Sequence, residues 1–303
     1  MTLKNFTELI DRVKACPKKT VALVCADDEH ALEAIIRAGD IIDAVLVGDT
    51  KIIADKLRNL NQNPEDFRLV QVPEGQHPAV TAAKLINSGE ADFLMKGHIA
   101  TGDLLKGVLS DESGLRKYGL MSHVSIQEVP GYHKLIFLTD SGMCINPDVE
   151  QKRQILINVL DFMHRLGYKK PAVAALCAIE TVNPNMSETL DAHELKKLVD
   201  EGIIENCVFE GPISYDVAML PEAARIKGFD SPNSGNFDVL LVPNLLAGNL
   251  LGKSLVYTLK GKMAGLILGA KVPIVLTSRS STAEEKYNSL AIAASVTTGD
   301  KEK

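Results

Sequence analysis

The sequence predicts an α/β protein with mostly parallel sheet, a few antiparallel strands and two lobes. Three observations carry this. Apolar runs of strand length alternate with helical patterns almost from end to end. Continuous apolar strands separated by helices imply parallel sheet covered on both faces. Residues 122–129 instead alternate with period two, and a second run at 132–138 follows Pro130-Gly131, a hairpin signature. The alternation resumes after a long helical stretch over 147–166, which makes the hairpin region the seam between lobes.

Taken in order, residues 1–10 read as an amphipathic helix and lack a signal peptide's apolar core and cleavage site. Residues 20–26 form a buried strand and 29–38 a helix; 43–48 is the next strand and 50–59 the next helix. Strand 68–72, helix 77–88 and strand 93–95 follow, then a helical pattern opening near Thr101. Beyond the hairpin and the long helix come strands at 172–176, 207–210, 239–242, 264–268 and 274–277. The lobes are placed at 1–139 plus 271–303 and at 140–270, the last strand and helix returning to the first. No period of roughly 20–50 residues recurs, which excludes a solenoid.

Composition narrows the function classes. Net charge is −6, so no global field favours nucleic acid or an anionic membrane, and an anionic ligand must be held by local groups. No apolar stretch approaches the length of a membrane span. The five cysteines, Cys16, Cys25, Cys144, Cys177 and Cys207, are odd in number and scattered, with no Cys-x-x-Cys pair. That argues against a disulfide framework and against a metal site. The expectation is a cytoplasmic protein with small-molecule partners.

The first βα turn reads Val24-Cys-Ala-Asp-Asp28, not Gly-x-Gly-x-x-Gly, and a P-loop, a Gly-x-Ser-x-Gly elbow and a His-Glu-x-x-His are all missing. Four strand-end clusters remain. The first is Lys96-Gly97-His98-Ile99-Ala100-Thr101, where a cation and a helix start converge as an anion site requires. The others are Thr139-Asp140-Ser141-Gly142, Gly211-Pro-Ile-Ser-Tyr-Asp216, and Pro243–Asn249 together with Thr277–Ser280. Each alone is ordinary punctuation. Four polar clusters at the edge where α/β sheets bind ligands point to one composite site. Some members fit two roles: His123 also suits a core position, Arg116 an exposed charge, and Asp140 and Asp216 helix caps.

Together these stretches resemble the phosphate acetyl/butyryltransferase family, its butyryl branch most of all. The resemblance is carried by Met95-Lys-Gly97, Leu104-Leu-Lys-Gly-Val-Leu109, Met121-Ser-His-Val124 and Phe137-Leu-Thr-Asp140. It continues in Cys177-Ala-Ile-Glu180, Asn183-Pro-Asn-Met186, Gly211–Asp216, Gly248-Asn249 and Val275-Leu-Thr-Ser-Arg279. It implies two α/β/α lobes around a cleft, akin to the isocitrate/isopropylmalate dehydrogenase fold, and a homo-oligomer. The implied reaction exchanges a short acyl group, butyryl first and acetyl as the alternative, between coenzyme A and inorganic phosphate in a ternary complex. Coenzyme A is then a co-substrate, with no tightly bound cofactor and no metal. Lys96, Ser278, Arg279 and Glu180 are the expected catalytic residues. Gly97, Thr101, Lys106, Arg116, Ser122, His123, Asp140, Asp216, Gly248 and Asn249 are the expected substrate contacts. The general base stays unassigned, and Cys144 is the first suspect should an acyl-cysteine form. A coenzyme A-binding protein without turnover is the alternative of another class.

Overall fold

The structure, a computed structural model, describes residues 2–276 and 281–296. The chain opens with α1 (Phe6–Lys14), β1 (Lys19–Val24), α2 (Glu29–Arg37), β2 (Ile42–Gly48) and α3 (Thr50–Asn59). It continues through β3 (Arg68–Gln71), α4 (Pro78–Asn87), β4 (Phe93–Lys96) and α5 (Thr101–Leu109). The hairpin is β5 (Ser122–Glu128) and β6 (Ile136–Thr139), followed by α6 (Val149–Arg165), β7 (Ala172–Leu176), α7 (Ser187–Asp200) and β8 (Val208–Ile213). Then come α8 (Tyr215–Met219), α9 (Pro221–Lys227), β9 (Val239–Leu241), α10 (Leu245–Lys253), β10 (Lys262–Leu268), β11 (Ile274–Val275) and α11 (Ala283–Val296).

Two compact units divide the chain: Phe6–Gly119 with Ala264–Lys303, and Leu120–Met263 with Met1–Asn5. In the first, the strand order is β3-β2-β1-β4-β11-β10. Its pairings are parallel except β10 with β11. The second has the order β5-β6-β9-β7-β8 and is parallel except for the hairpin. The units divide at 119/120 and 263/264, where the expected lobes divide at 139/140 and 270/271. Pairing is the reason: β6 lies parallel to β9, so both hairpin strands build into the second unit. The N-terminal residues join the same unit because Leu3 N donates to Tyr168 Oη at 2.9 Å and Leu135 N to Leu3 O at 3.0 Å. Pro130 and Gly131 form the turn, with Tyr132 N donating to Val129 O at 3.0 Å, and β6 starts at Ile136 and not at 132.

Local chemistry accounts for the elements. In β1, Val21, Ala22, Leu23 and Val24 are fully buried, as a strand covered on both faces must be. Each such Val or Leu contributes roughly 1.5–3 kcal/mol of burial. Helix α2 starts where the Asp28 carboxylate accepts from Ala31 N at 3.0 Å, and it buries Ala31, Leu32, Ala34 and Ile35 along one face. Helix α6 begins two residues later than its apolar pattern suggests, because Asp148 and Gln151 form a capping box. It stops at Gly167, whose φ of 95° is open to glycine. In the second unit Phe137 packs edge-on against Phe162 and Tyr168, at 6.3 and 5.8 Å between ring centres.

Candidate active site

In the first unit β1 and β4 run parallel with Val24 opposite Lys96, so both strands end together. The chain then crosses tightly: Gly97 N donates to Val24 O at 2.9 Å and His98 N to Cys25 O at 2.8 Å. A Cβ on Gly97 would lie 2.2 Å from Cys25 O and 2.6 Å from Val24 O, so only glycine permits the crossing. Lys96 is half-buried; its Nζ donates to Gly97 O at 3.2 Å and lies near the Cys25 thiol. Burial pushes that thiol up to about 11, Asp27 adds to the rise, and Lys96 opposes it. His98 is exposed, with Nδ1 3.1 Å from Asp27 Oδ2. Helix α5 then opens at Thr101 behind Ala100, which supplies no side-chain cap. Its first N–H groups therefore receive nothing from the N-cap side chain. Lys106 and Arg116 are both exposed, with Lys106 in the last turn of α5 and Arg116 bridged through its backbone to Ala270. The structure thus joins Lys96, Gly97 and Thr101 at one strand end and leaves Lys106 and Arg116 outside it.

In the second unit β5 runs against β6, so the start of β5 shares an edge with the ends of β6, β7, β8 and β9. Asp140 organises that edge. Its Oδ2 accepts from His123 N at 2.8 Å, and its Oδ1 from Gly142 N at 2.8 Å and Met143 N at 2.7 Å. The His123 ring is buried, with Nδ1 3.0 Å from Ser141 Oγ. Burial lowers the imidazole's proton affinity, which the Asp140 charge only partly restores, so the ring is neutral near pH 7. Ser122 Oγ accepts from Asn158 Nδ2 at 3.0 Å, and Asn158 also reaches Leu120 O. Helix α10, capped by Asn244 on Ala247 N at 3.0 Å, presses Gly248 onto the Asp140 turn. A Cβ there would stand 2.8 Å from Asp140 O and 2.9 Å from Ser141 Cα. Asn249 follows it, partly buried. The half-buried Cys144 thiol is pushed up to about 12 by burial first and then by Asp140.

A third group forms at the ends of β7 and β8. Ser214 Oγ donates within a pair of carboxylates, Glu180 and Asp216, lying 2.6 Å from Asp216 Oδ1. Lys227 Nζ is 3.0 Å from Glu180 Oε1 and 3.0 Å from Asp216 Oδ2. Ser214 has one proton for two acceptors, and Lys227 bonds to both carboxylates, its single charge offsetting one of their two. Burial pushes the Glu180 carboxyl up, but the Ser214 and Lys227 contacts outweigh it and the net shift is downward. Asp216 falls to about 2, chiefly through Ser214 and then Lys227. Both are held as carboxylates. Ser214 lay inside the Gly211–Asp216 cluster without being singled out, and Lys227 is a member that sequence reasoning missed. Lys227 had a faint signal, a basic helix end before Gly228, whose φ is 66°.

Ser278 and Arg279 lie outside the described residues. Among the described residues no group of three His, Cys, Asp or Glu is placed to hold a metal ion.

Comparison with known proteins gives one consistent result. A family model described as "Phosphate acetyl/butaryl transferase" matches residues 74–294. The phosphate butyryltransferase of Clostridium acetobutylicum is 40% identical over 296 residues, covering 97% of this chain and 98% of that one. The phosphate acetyltransferase of Thermotoga maritima is 37% identical over 289 residues, covering 95% and 98%. The crystal structure of a branched-chain phosphotransacylase from Enterococcus faecalis superposes with a TM-score of 0.81 at 31% identity, covering 93% of this chain and 100% of that one. A dehydrogenase structure from Salmonella typhimurium reaches 0.61 at 10% identity, a likeness of fold alone.

Proposed function

The chain belongs to the phosphate acetyl/butyryl transferase family, and from that premise we propose that it catalyses acyl-CoA + phosphate = acyl phosphate + CoA on a short straight or branched acyl group, with butyryl preferred. The enzyme is an acyltransferase. A phosphate oxygen attacks the thioester carbonyl, the C–S bond of the tetrahedral intermediate breaks with its electron pair going to sulfur, and the phosphate's proton ends on the thiol. Charge builds on the carbonyl oxygen and on sulfur, so fixed cations and N–H donors are what this step needs. Holding phosphate and thioester in attack geometry is worth roughly 7–11 kcal/mol by itself.

The carrying observation is the end of β4. Lys96 supplies a positive charge, Gly97 lets backbone come close, and α5 opens beside them without a side-chain cap. In this reading Lys96, Gly97 and Thr101 hold phosphate oxygens, with Ser278 and Arg279 assigned to the same task on sequence grounds. Ser122, His123, Asp140, Gly248 and Asn249 are assigned to substrate contacts at their own strand ends in the second unit. Glu180 and Asp216, ion-paired to Lys227, are assigned to holding the ends of β7 and β8 in place, since lowered carboxyl affinities make weak proton acceptors. Lys106 and Arg116 are assigned to the outer parts of the substrates.

Direct transfer is favoured over an acyl-cysteine. Burial pushes Cys25, Cys144, Cys177 and Cys207 up to about 11, 12, 12 and 11, which leaves little thiolate for attack. Coenzyme A is a co-substrate in this reading, with no tightly bound cofactor. We place the enzyme in the cytoplasm as a homo-oligomer; exposed Leu246 and Leu250, four apart on α10, support a subunit contact. No helix among the described residues is long and apolar enough to cross a membrane. The purified protein, given butyryl-CoA, isobutyryl-CoA or acetyl-CoA with phosphate, should release thiol in proportion to phosphate. An absence of phosphate-dependent release with all three would refute the assignment.

A further inference from the structure

Lys286, in the second turn of α11, is only 8% exposed, on a helix buried nearly all round. Among the described residues its ammonium makes one long hydrogen bond, Nζ to His30 O at 3.4 Å. Among the described residues it has no carboxylate partner. The nearby acids are committed elsewhere. Glu285 accepts from Thr282 N at 3.0 Å, Asp28 from Ala31 N at 3.0 Å, and Asp27 lies 3.1 Å from His98 Nδ1. An ammonium carries three donors, and burying one this sparsely bonded is costly unless an anion completes it.

Its location supplies the anion's identity. β1, β4 and β11 are neighbouring parallel strands of the first unit, and the strands themselves end along one edge. Lys286 reaches from α11 to His30, in the first turn of α2, just beyond β1. Lys96 reaches the same turn from β4, close enough to act on the Cys25 thiol. Two lysines from separate elements thus bracket the segment from Cys25 to His30. Helix α11 is pinned beside them by Tyr287 Oη on Asp40 Oδ2 at 2.9 Å and by Arg37 over the Tyr287 ring at 5.9 Å.

We propose that Lys286 is a further cationic ligand for a phosphate group of the substrates, either inorganic or acyl phosphate or a phosphate of coenzyme A. The proposal rests on the acyl-transfer reading. Lys286→Met keeps the side chain's length and removes its charge, and Lys286→Gln is the polar, uncharged control. Losing one charge-assisted contact should raise the KM of the substrate whose phosphate it touches by roughly 10–100-fold, with kcat little changed. The thermal midpoint should hold or rise, because a buried, poorly paired charge has gone. A raised KM for phosphate assigns the inorganic or acyl phosphate. A raised KM for acyl-CoA, with the preference for coenzyme A over its dephospho form abolished, assigns the 3′-phosphate; with that preference kept, it assigns the pyrophosphate. KM values within about twofold of wild type for both substrates overturn the proposal, as does failure of both variants to fold. A wild type inactive with every short acyl-CoA counts against the acyl-transfer reading instead.

Discussion

Gly97 decides how close β4's end comes to β1's. With carbonyl oxygens 2.2 and 2.6 Å from where a Cβ would stand, Gly97→Ala must open the crossing that presents Lys96. Overpacking of this kind costs roughly 1–3 kcal/mol, so a lowered thermal midpoint together with a raised KM for phosphate is expected. Cys144 is the opposite case: with its thiol pushed up to about 12, Cys144→Ala should keep kcat/KM within about threefold of wild type in the thiol-release assay. Asp216 carries the pH argument. Its folded carboxyl titrates near 2, below the roughly 3.9 of an unfolded aspartate, so folding favours the carboxylate. The stabilisation is full above about pH 4 and is lost as pH falls towards 2. Asp216→Asn should therefore unfold more easily than wild type in denaturant near neutral pH, with the gap closing through that acid window. The side chain is 49% exposed, so the gap is small. Lys96 and Gly97 were legible in sequence because a strand-ending Lys-Gly is a local pattern. Lys227 and Lys286 were not, since their partners lie 11–47 and 256 residues away.

Elements turn these residues into a surface. Helix α10 can lie against the Asp140 turn because Gly248 sits in its first full turn. Gly248→Ala would drive a methyl into backbone at 2.8–2.9 Å and displace the helix or the turn. A loss of roughly 1–3 kcal/mol is expected, with kcat falling as well, read from denaturant midpoints and turnover; unchanged values for both would show that α10 moves aside freely. Most elements were readable from apolar periodicity, β7 to the residue. Their ends were less so: α6 starts at its capping box and not at Pro147, and β6 starts after Leu135, whose N–H is given to Leu3 O. A cap is decided by one side-chain bond and a strand's start by a distant backbone partner, neither of which alters an apolar period.

For the whole molecule, ligand linkage separates the acyltransferase from its fold relatives among dehydrogenases. Coenzyme A at about 100 times its Kd should stabilise the native protein by about 2.7 kcal/mol, seen as a rise in thermal midpoint, while NAD and NADP should give none. A shift with a nicotinamide nucleotide and none with coenzyme A would reverse the assignment. The alternation of strands and helices, the hairpin and the order of strand-end motifs determined the α/β class and the family, because these are properties of neighbouring residues and of chain order. Tertiary structure alone decided that the hairpin builds into the second unit, that Glu180 is ion-paired with Lys227, and that Lys286 is buried beside the first turn of α2. Each depends on which strands pair and which helix faces meet, and non-local pairing brings together charges that no local pattern relates.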